Sequence, residues 1–215
     1  MPAARRIPEA TVTRLPLYLR VLEEAAAQRT MTVSSEDLAE RVGFSAAQIR
    51  RDLSCLGSFG IRGVGYEVEY LMLVINRQLG LDGERRVAIV GAGNLGQALA
   101  RYGGFSARGF RVVAAFDADP AKVGTLLGDT RVSDASGMLE GLRGAGVEIA
   151  VITTPAQAAQ RVVDVAVQAG VGSILNFAPT SVAVPEGVAL RQVDLGIELQ
   201  ILSFYRHRVG DPAGV

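Results

Sequence analysis

The chain has 215 residues, 49% of them hydrophobic, with 22 basic side chains against 22 acidic ones. That hydrophobic share excludes a disordered chain, and the balanced charge excludes a polybasic nucleic-acid coat. One cysteine (Cys55) and one histidine (His207) exclude an internal disulfide framework and leave no Cys/His zinc cage, so no metal site is expected.

No apolar signal core follows the first residues, and no run of about 18 apolar residues could span a bilayer. The expectation is a cytoplasmic protein with no membrane partner. The first element reads as a helix from about Pro8 to Gln28. Pro8 suits a first turn, and Leu15, Leu19 and Leu22, with Tyr18 and Val21, recur at helical spacing. Pro16 removes a hydrogen bond within it, so either the rod bends there or its regular part starts near Pro16. A short helix follows. Ser34 precedes Asp37 at capping-box spacing, Leu38 and Val42 face inward, and Gly43 stops it.

The third helix opens at Ser45-Ala-Ala-Gln48, again a capping box, and ends at Gly57. Ile49, Leu53 and Leu56 form its buried stripe; Arg50 and Arg51 lie off the stripe, facing solvent. Two short helices joined at Gly43-Phe44, with arginines on the exposed face of the second, form a helix-turn-helix pattern. Arginine reads guanine bidentately, worth about 1–3 kcal/mol of discrimination. The stretch Gly57-Ser-Phe-Gly-Ile-Arg-Gly-Val-Gly-Tyr66 suits a tight hairpin, or wing, with Arg62 at its tip, where a narrow minor groove would attract it. A small helical domain with a solvated charged face gives the same pattern. Residues 1–80 hold 10 arginines against 9 acids, a net of +1, so DNA binding requires the arginines to be unevenly placed.

The grammar changes near Gly80. Leu79-Gly-Leu-Asp-Gly-Glu84 carries little periodicity and marks a domain boundary. Beyond it, strand and helix alternate. Arg85-Arg-Val-Ala-Ile-Val90 has the composition of a buried parallel strand. Gly91-Ala-Gly-Asn-Leu-Gly96 follows, then a helix start at Gln97. A second strand, Val112 to Phe116, ends in Asp117, 21 residues after Gly96. This is the dinucleotide fingerprint in its required context. Gly91 allows the tight turn, Gly93 lets backbone approach a pyrophosphate, and Gly96 permits close helix–strand packing. Asp117 can accept ribose hydroxyls and would repel a 2′-phosphate, which favours NAD(H) over NADP(H). A further strand, Val147 to Thr154, a helix, Ala156 to Ala169, and a strand, Ser173 to Phe177, continue the alternation. Thr154, Pro155, Asn176 and Ala178 follow strand ends, where such sheets bind ligands; turn chemistry alone would also place them there.

Catalysis has few suppliers. His207 is in the tail, and Lys122, the only lysine, follows the second strand at the adenine end. Tyr102 and Asp194 remain as proton donors or acceptors. Residues after 190 supply about one helix and no second catalytic domain, which argues for a nucleotide sensor with no catalytic residue. That helix, with Ile197, Leu199, Ile201, Leu202, Phe204 and Tyr205, has more apolar surface than one face needs. A second subunit would cover it; packing on its own sheet is the alternative.

At this point the chain resembles the bacterial Rex family of redox-sensing transcriptional repressors. The resemblance spans nearly the whole length. It rests on Gln48-Ile-Arg-Arg-Asp-Leu-Ser54, the wing Gly57 to Tyr66, Gly91-Ala-Gly-Asn-Leu-Gly-Gln-Ala-Leu99, Phe116-Asp-Ala-Asp-Pro120, Asn176-Phe-Ala-Pro179 and Val193-Asp-Leu195. It implies an α/β chain in three parts. These are a winged helix-turn-helix over 1–80, a Rossmann-type doubly wound parallel sheet over 81–192, and a domain-swapped dimerisation helix and tail over 193–215. It implies a cytoplasmic homodimer that binds palindromic operator DNA and releases it when NADH binds.

By position, the resemblance assigns Arg50 and Arg51 to the major groove, with Ser45, Gln48 and Ser54 on the same helix. Arg62 and Gly63 fall to the minor groove. The NAD(H) set is Gly91, Ala92, Gly93, Asn94, Leu95, Gly96, Tyr102, Asp117, Thr154, Pro155, Asn176 and Ala178. Arg20, Asp194 and Leu195 form a switch at the subunit interface, although Leu195 stands where some members carry an aromatic. A carboxylate such as Asp194 can sense the nicotinamide charge that NAD+ has and NADH lacks. Moving a two-state equilibrium from 1:99 to 99:1 takes about 5.5 kcal/mol. Two other readings stand beside this one: a small NAD-dependent dehydrogenase with Tyr102 as proton donor, and a DNA-binding protein that senses another adenine nucleotide.

Overall fold

The computed structural model describes residues 7–58, 60, 61 and 63–209, with backbone only for 207–209. Arg62 therefore lies outside the described residues. The chain divides into two compact units, Met1–Gly83 and Glu84–Val215.

The first unit is helical. α1 (Glu9–Ala27) buries Leu15, Tyr18, Leu19, Val21 and Leu22, the face its spacing predicts. It runs regularly through Pro16, so it does not start there. β1 (Thr32–Val33) leads into α2 (Ser35–Val42), whose capping box forms in full. Ser34 Oγ accepts from the Asp37 N–H at 3.0 Å, and Asp37 Oδ2 accepts from the Ser34 N–H at 2.8 Å. Gly43 ends α2 at φ +75°, a left-handed turn that glycine adopts without strain.

α3 (Ala46–Leu56) follows. Only half of its expected capping box forms: Ser45 Oγ accepts from the Gln48 N–H at 3.2 Å, while the Gln48 side chain goes elsewhere. The wing is a tight hairpin in which Ile61 and Gly65 exchange backbone hydrogen bonds. At Gly65 (φ +103°) a Cβ would strike the Val33 carbonyl. β2 (Tyr66–Glu67) then pairs antiparallel with β1, Val33 opposite Tyr66. The unit continues past the hairpin. α4 (Val68–Gln78) buries Val68, Leu71 and Ile75 at i, i+3 and i+7 and completes the core against α1.

The second unit is a doubly wound sheet. β3 (Arg85–Val90) is central. α5 (Asn94–Ala100) and α6 (Gly103–Ser106) lead to β4 (Phe110–Asp117), and a hairpin of β5 (Leu126–Leu127) and β6 (Thr130–Asp134) follows. Then come α7 (Met138–Gly144), β7 (Ile149–Ile152), α8 (Ala156–Gln168), β8 (Ser173–Asn176) and β9 (Ala189–Gln192). The strand order is β5-β6-β4-β3-β7-β8-β9, parallel throughout except for β5–β6.

Alternation splits β3 between two cores. Ala88 and Val90 join the cluster that includes Met138, Leu142, Ala159 and Val163, and Val87 and Ile89 join the opposite one, with Leu99 and Ala100 packed on it. From β3 the chain first builds β4 and β6 on one side, then crosses back to β7 on the other. The strand order therefore reverses between β3 and β7, where such sheets form a ligand crevice beyond the strand ends.

α9 (Leu195–Val209) closes the chain. Its large apolar side chains from Leu195 to Tyr205 are 45–67% exposed. Its own sheet therefore does not cover them. Among the described residues no helix is long and apolar enough to cross a membrane.

Candidate functional site

Two regions carry the predicted chemistry, one in each unit. In the first, the centre is a residue the sequence reading passed over. Asp52, on α3, is 2% exposed and accepts five hydrogen bonds. From α1 come Thr11 Oγ1 at 3.0 Å, Arg14 Nε and Nη2 at 2.6 and 2.7 Å, and the Tyr18 hydroxyl at 2.7 Å. From α3 itself comes Gln48 Nε2 at 2.9 Å. Burial pushes the carboxyl pKa up, but the hydrogen bonds from Arg14, Tyr18, Gln48 and Thr11 outweigh it and hold it at about 2. Burial and the adjacent carboxylate push the Tyr18 hydroxyl well above its usual value. This cluster fixes α3 against α1. Its signal was present: Ile49, Asp52, Leu53 and Leu56 fall at i, i+3, i+4 and i+7, so an acid sits inside an apolar stripe.

On the outward face, Arg50 and Arg51 are both exposed, and neither simply faces solvent. Arg50 Nη1 donates to Ser35 Oγ and Glu36 Oε1, both at 2.8 Å, tying it to α2. Arg51 Nη2 donates to Gln48 Oε1 at 2.7 Å. Ser45 caps α3, and the Ser54 hydroxyl donates back to the Arg51 carbonyl at 2.7 Å. Gly63 occupies the wing turn at φ +82° with open space where a Cβ would sit. Arg20 is exposed on α1.

In the second unit the glycine turn leaves β3 as expected. At Gly91 (φ +109°) a Cβ would lie 2.6 Å from the Thr153 carbonyl oxygen, and at Gly96 it would overlap the Gly91 carbonyl. Neither position has room for a side chain. Gly93 differs: nothing lies within 4 Å of a Cβ there, so the backbone is open to a ligand. Ala92 is buried behind the turn, and Asn94 and Leu95 open α5 with no side-chain cap on its first N–H groups. Those groups are available to an anion.

Asp117 closes β4 with both oxygens engaged. Oδ2 accepts from the Ala92 N–H at 2.6 Å and Lys122 Nζ at 3.1 Å, and Oδ1 accepts from the Asp119 N–H at 2.9 Å. Burial acts to raise its pKa, but the two backbone N–H groups and Lys122 outweigh it and leave the pKa below the usual value. Asp117 thus also fastens the glycine turn, a role the spacing argument did not foresee. A carboxylate has about four lone-pair sites, so roughly one remains for a ribose hydroxyl.

Across the switch point, Thr153 Oγ1 donates to the Gly91 carbonyl at 2.8 Å and holds the turn to β7. Thr154 Oγ1 is buried and has no hydrogen-bond partner. A buried hydroxyl without a partner is costly, and this one follows β7 beside the strand-order reversal. Pro155 is exposed at the head of α8. Asn176 is fully buried. Its Nδ2 donates to the Thr180 carbonyl and Gln192 Oε1, and its Oδ1 accepts from the Ala178 N–H. These bonds correspond to its turn reading, with Ala178 buried beneath. Tyr102 is 55% exposed, edge-on to Phe105 with ring centroids 5.4 Å apart. Asp194 caps α9, its Oδ1 accepting from the Gly196 N–H at 2.8 Å, and Leu195 beside it is exposed.

Comparison with known proteins adds to this geometry. Two family models match, "Putative DNA-binding protein N-terminus" over residues 6–54 and "CoA binding domain" over residues 82–180. A redox-sensing transcriptional repressor Rex from Streptomyces griseus subsp. griseus is 57% identical over 205 residues, covering 95% of this chain and 81% of the relative. RSP, a Rex-family repressor solved with NAD+ and operator DNA, is 35% identical with a TM-score of 0.88. That match covers 97% of this chain and 99% of RSP. RSP solved with NADH matches at a TM-score of 0.85, over 94% and 95% of the two chains.

Proposed function

The chain belongs to the Rex family of redox-sensing transcriptional repressors, and we propose that it binds palindromic operator DNA as a homodimer and releases it when NADH binds. The observation that carries this is one chain holding both parts. It has a helix-turn-helix with arginines on its outward face, and a phosphate-ready glycine turn ending at an acid-tipped second strand. RSP takes both ligand classes, having been solved with NADH and with NAD+ plus operator DNA.

The described residues fit a dinucleotide. Gly91, Gly93 and Gly96 with the first N–H groups of α5 would hold the pyrophosphate, and Asp117 the adenosine ribose. Thr154 Oγ1, buried without a partner, would serve the nicotinamide half. When bound, the nicotinamide supplies a ring charge that differs between its oxidised and reduced forms, and Asp194, with Tyr102, would read that difference. One matching family model is described by coenzyme A, whose ribose carries a phosphate. The Asp117 carboxylate opposes such a phosphate and favours the free hydroxyls of NAD(H). The protein is read as a regulator rather than an enzyme, working in the cytoplasm where DNA and the NAD(H) pool meet.

The dimer reading rests on α9. Its seven exposed large apolar side chains exceed what a solvated helix carries, and a second copy would bury Leu195, Leu199, Leu202 and the apolar residues between them. With two half-sites, the dimer also matches palindromic DNA.

Two variants test the sensor. By calorimetry, Asp117→Ala should weaken NADH binding at least tenfold; unchanged affinity would remove Asp117 from the ribose site. Asp194→Asn keeps an oxygen to cap α9 while removing the charge. It should still dimerise and bind DNA but lose NADH-triggered release, and full retention of release would remove Asp194 from the switch.

A further inference from the structure

Within the reading of α3 as the DNA-reading helix, the Asp52 cluster is joined to Arg51 on the outward surface through Gln48. Gln48, Arg51 and Asp52 stand at i, i+3 and i+4 on α3, one above another on the helix. Asp52 is buried and ionised, with four hydrogen bonds already arriving from Thr11, Arg14 and Tyr18. An ionised carboxylate only accepts. The Gln48 amide beside it must therefore turn its NH2 inward, and Nε2 donates to Asp52 Oδ1 at 2.9 Å. The Gln48 carbonyl is then the end left facing out. Being an acceptor only, it takes an N–H from Arg51 Nη2 at 2.7 Å.

We propose that Asp52 and Gln48 are positioning residues for DNA recognition: Asp52 fixes the direction of the Gln48 amide, and the Gln48 carbonyl sets the Arg51 guanidinium for readout. Arg51 gives up one N–H to this contact and keeps the others of its five-donor fork for a base edge or phosphate. Its rotamer is restrained before DNA arrives, so less freedom is lost on binding. Arg50 contrasts with it. Its guanidinium is tied to Glu36, an acid that competes with phosphate, and nothing in the Asp52 cluster directs it. Discrimination between sequences therefore runs through Arg51.

The test uses the full-length protein and two labelled duplexes at one salt concentration. The first is a duplex that the wild-type chain selects from a random library, and the second is a scrambled duplex of equal composition. The variants are Gln48→Leu, Arg51→Ala, the double variant and Asp52→Asn. Gln48→Leu leaves Asp52 its bonds from α1, so the fold persists; thermal unfolding and NADH binding are checked alongside. Expected is about a tenfold fall in the selected-to-scrambled affinity ratio for Gln48→Leu, with no further fall when it is added to Arg51→Ala. Asp52→Asn offers Gln48 an amide that both donates and accepts, so the ratio should fall again while NADH binding stays unchanged.

Additive effects of Gln48→Leu and Arg51→Ala would overturn the relay, because Gln48 would then contact DNA on its own account. An unchanged ratio in Gln48→Leu would overturn it too. Both outcomes leave the DNA-binding reading intact. Failure of the wild-type chain to select any duplex would overturn that reading and the relay with it.

Discussion

The two units place their functional groups by opposite means. In the N-terminal unit a buried side-chain cluster sets the position of α3: one carboxylate gathers donors from two helices, and charge holds the pieces. In the C-terminal unit backbone contact sets the site, with Gly91 and Gly96 pressed against carbonyls and leaving no room for a methyl group. The first arrangement should respond to charge and pH, and the second to added volume.

Volume should give the largest effect. Gly96→Ala drives a methyl into the Gly91 carbonyl, which the turn cannot yield without moving β3 or α5. We expect loss of measurable NADH binding and about 3 kcal/mol of destabilisation, at the upper end of overpacking costs. Calorimetry and denaturant melts check this; wild-type NADH affinity would show that the close approach is relieved cheaply. Next comes charge. Asp52→Leu leaves Arg14 and Tyr18 buried or half-buried without their acceptor and should cost about 3 kcal/mol, as broken buried pairs do. The unfolding midpoint in urea reads it, and a change under about 1 kcal/mol would mean that water replaces the carboxylate.

The same cluster predicts a pH response. The folded pKa of Asp52 is about 2, below the unfolded value of about 4. A depressed carboxyl stabilises the fold above its unfolded pKa and loses that contribution as pH falls through the folded value. About 2 kcal/mol should therefore disappear between roughly pH 4 and pH 2, and Asp52→Asn should flatten that limb. An unaltered acid limb in Asp52→Asn would place the titration on other groups. The smallest effect belongs to a local cap: Ser34→Ala should cost about 1 kcal/mol, since it removes one side of a complete capping box.

The contrast also explains what could be read in the sequence. Backbone constraints leave marks on residue type. Only glycine fits at Gly91 and Gly96, so the turn, its flanking strand Arg85–Val90 and the acid at Asp117 were legible in spacing. The faces of α1 and α3 were legible for a similar reason, since burial repeats with the helix. Side-chain locks leave a fainter mark. At Asp52 the only mark is its place on the Ile49–Leu53 stripe. Thr153 and Thr154 marked a strand end, but not which of the two would hold the turn and which would be left without a partner.

Short edge strands left even less. β5, β6 and β9 have two to five residues and are mostly exposed, so no alternation distinguished them from loops. α4 is a different case. Its Val68, Leu71 and Ile75 have helical spacing, but the glycine-rich wing directly before them dominated the local pattern.

The central claim is that one small molecule, bound in the backbone-built unit, controls what the side-chain-built unit holds. It is tested most directly by fluorescence anisotropy of a labelled duplex from the promoter of this protein's own operon, at one fixed salt concentration because phosphate contacts make affinity salt-dependent. NADH is titrated into the complex, and NAD+ into a parallel sample. The account predicts that DNA is bound without nucleotide, stays bound with NAD+ and is released by NADH. DNA that stays bound at saturating NADH, or no binding even at low salt, would contradict it.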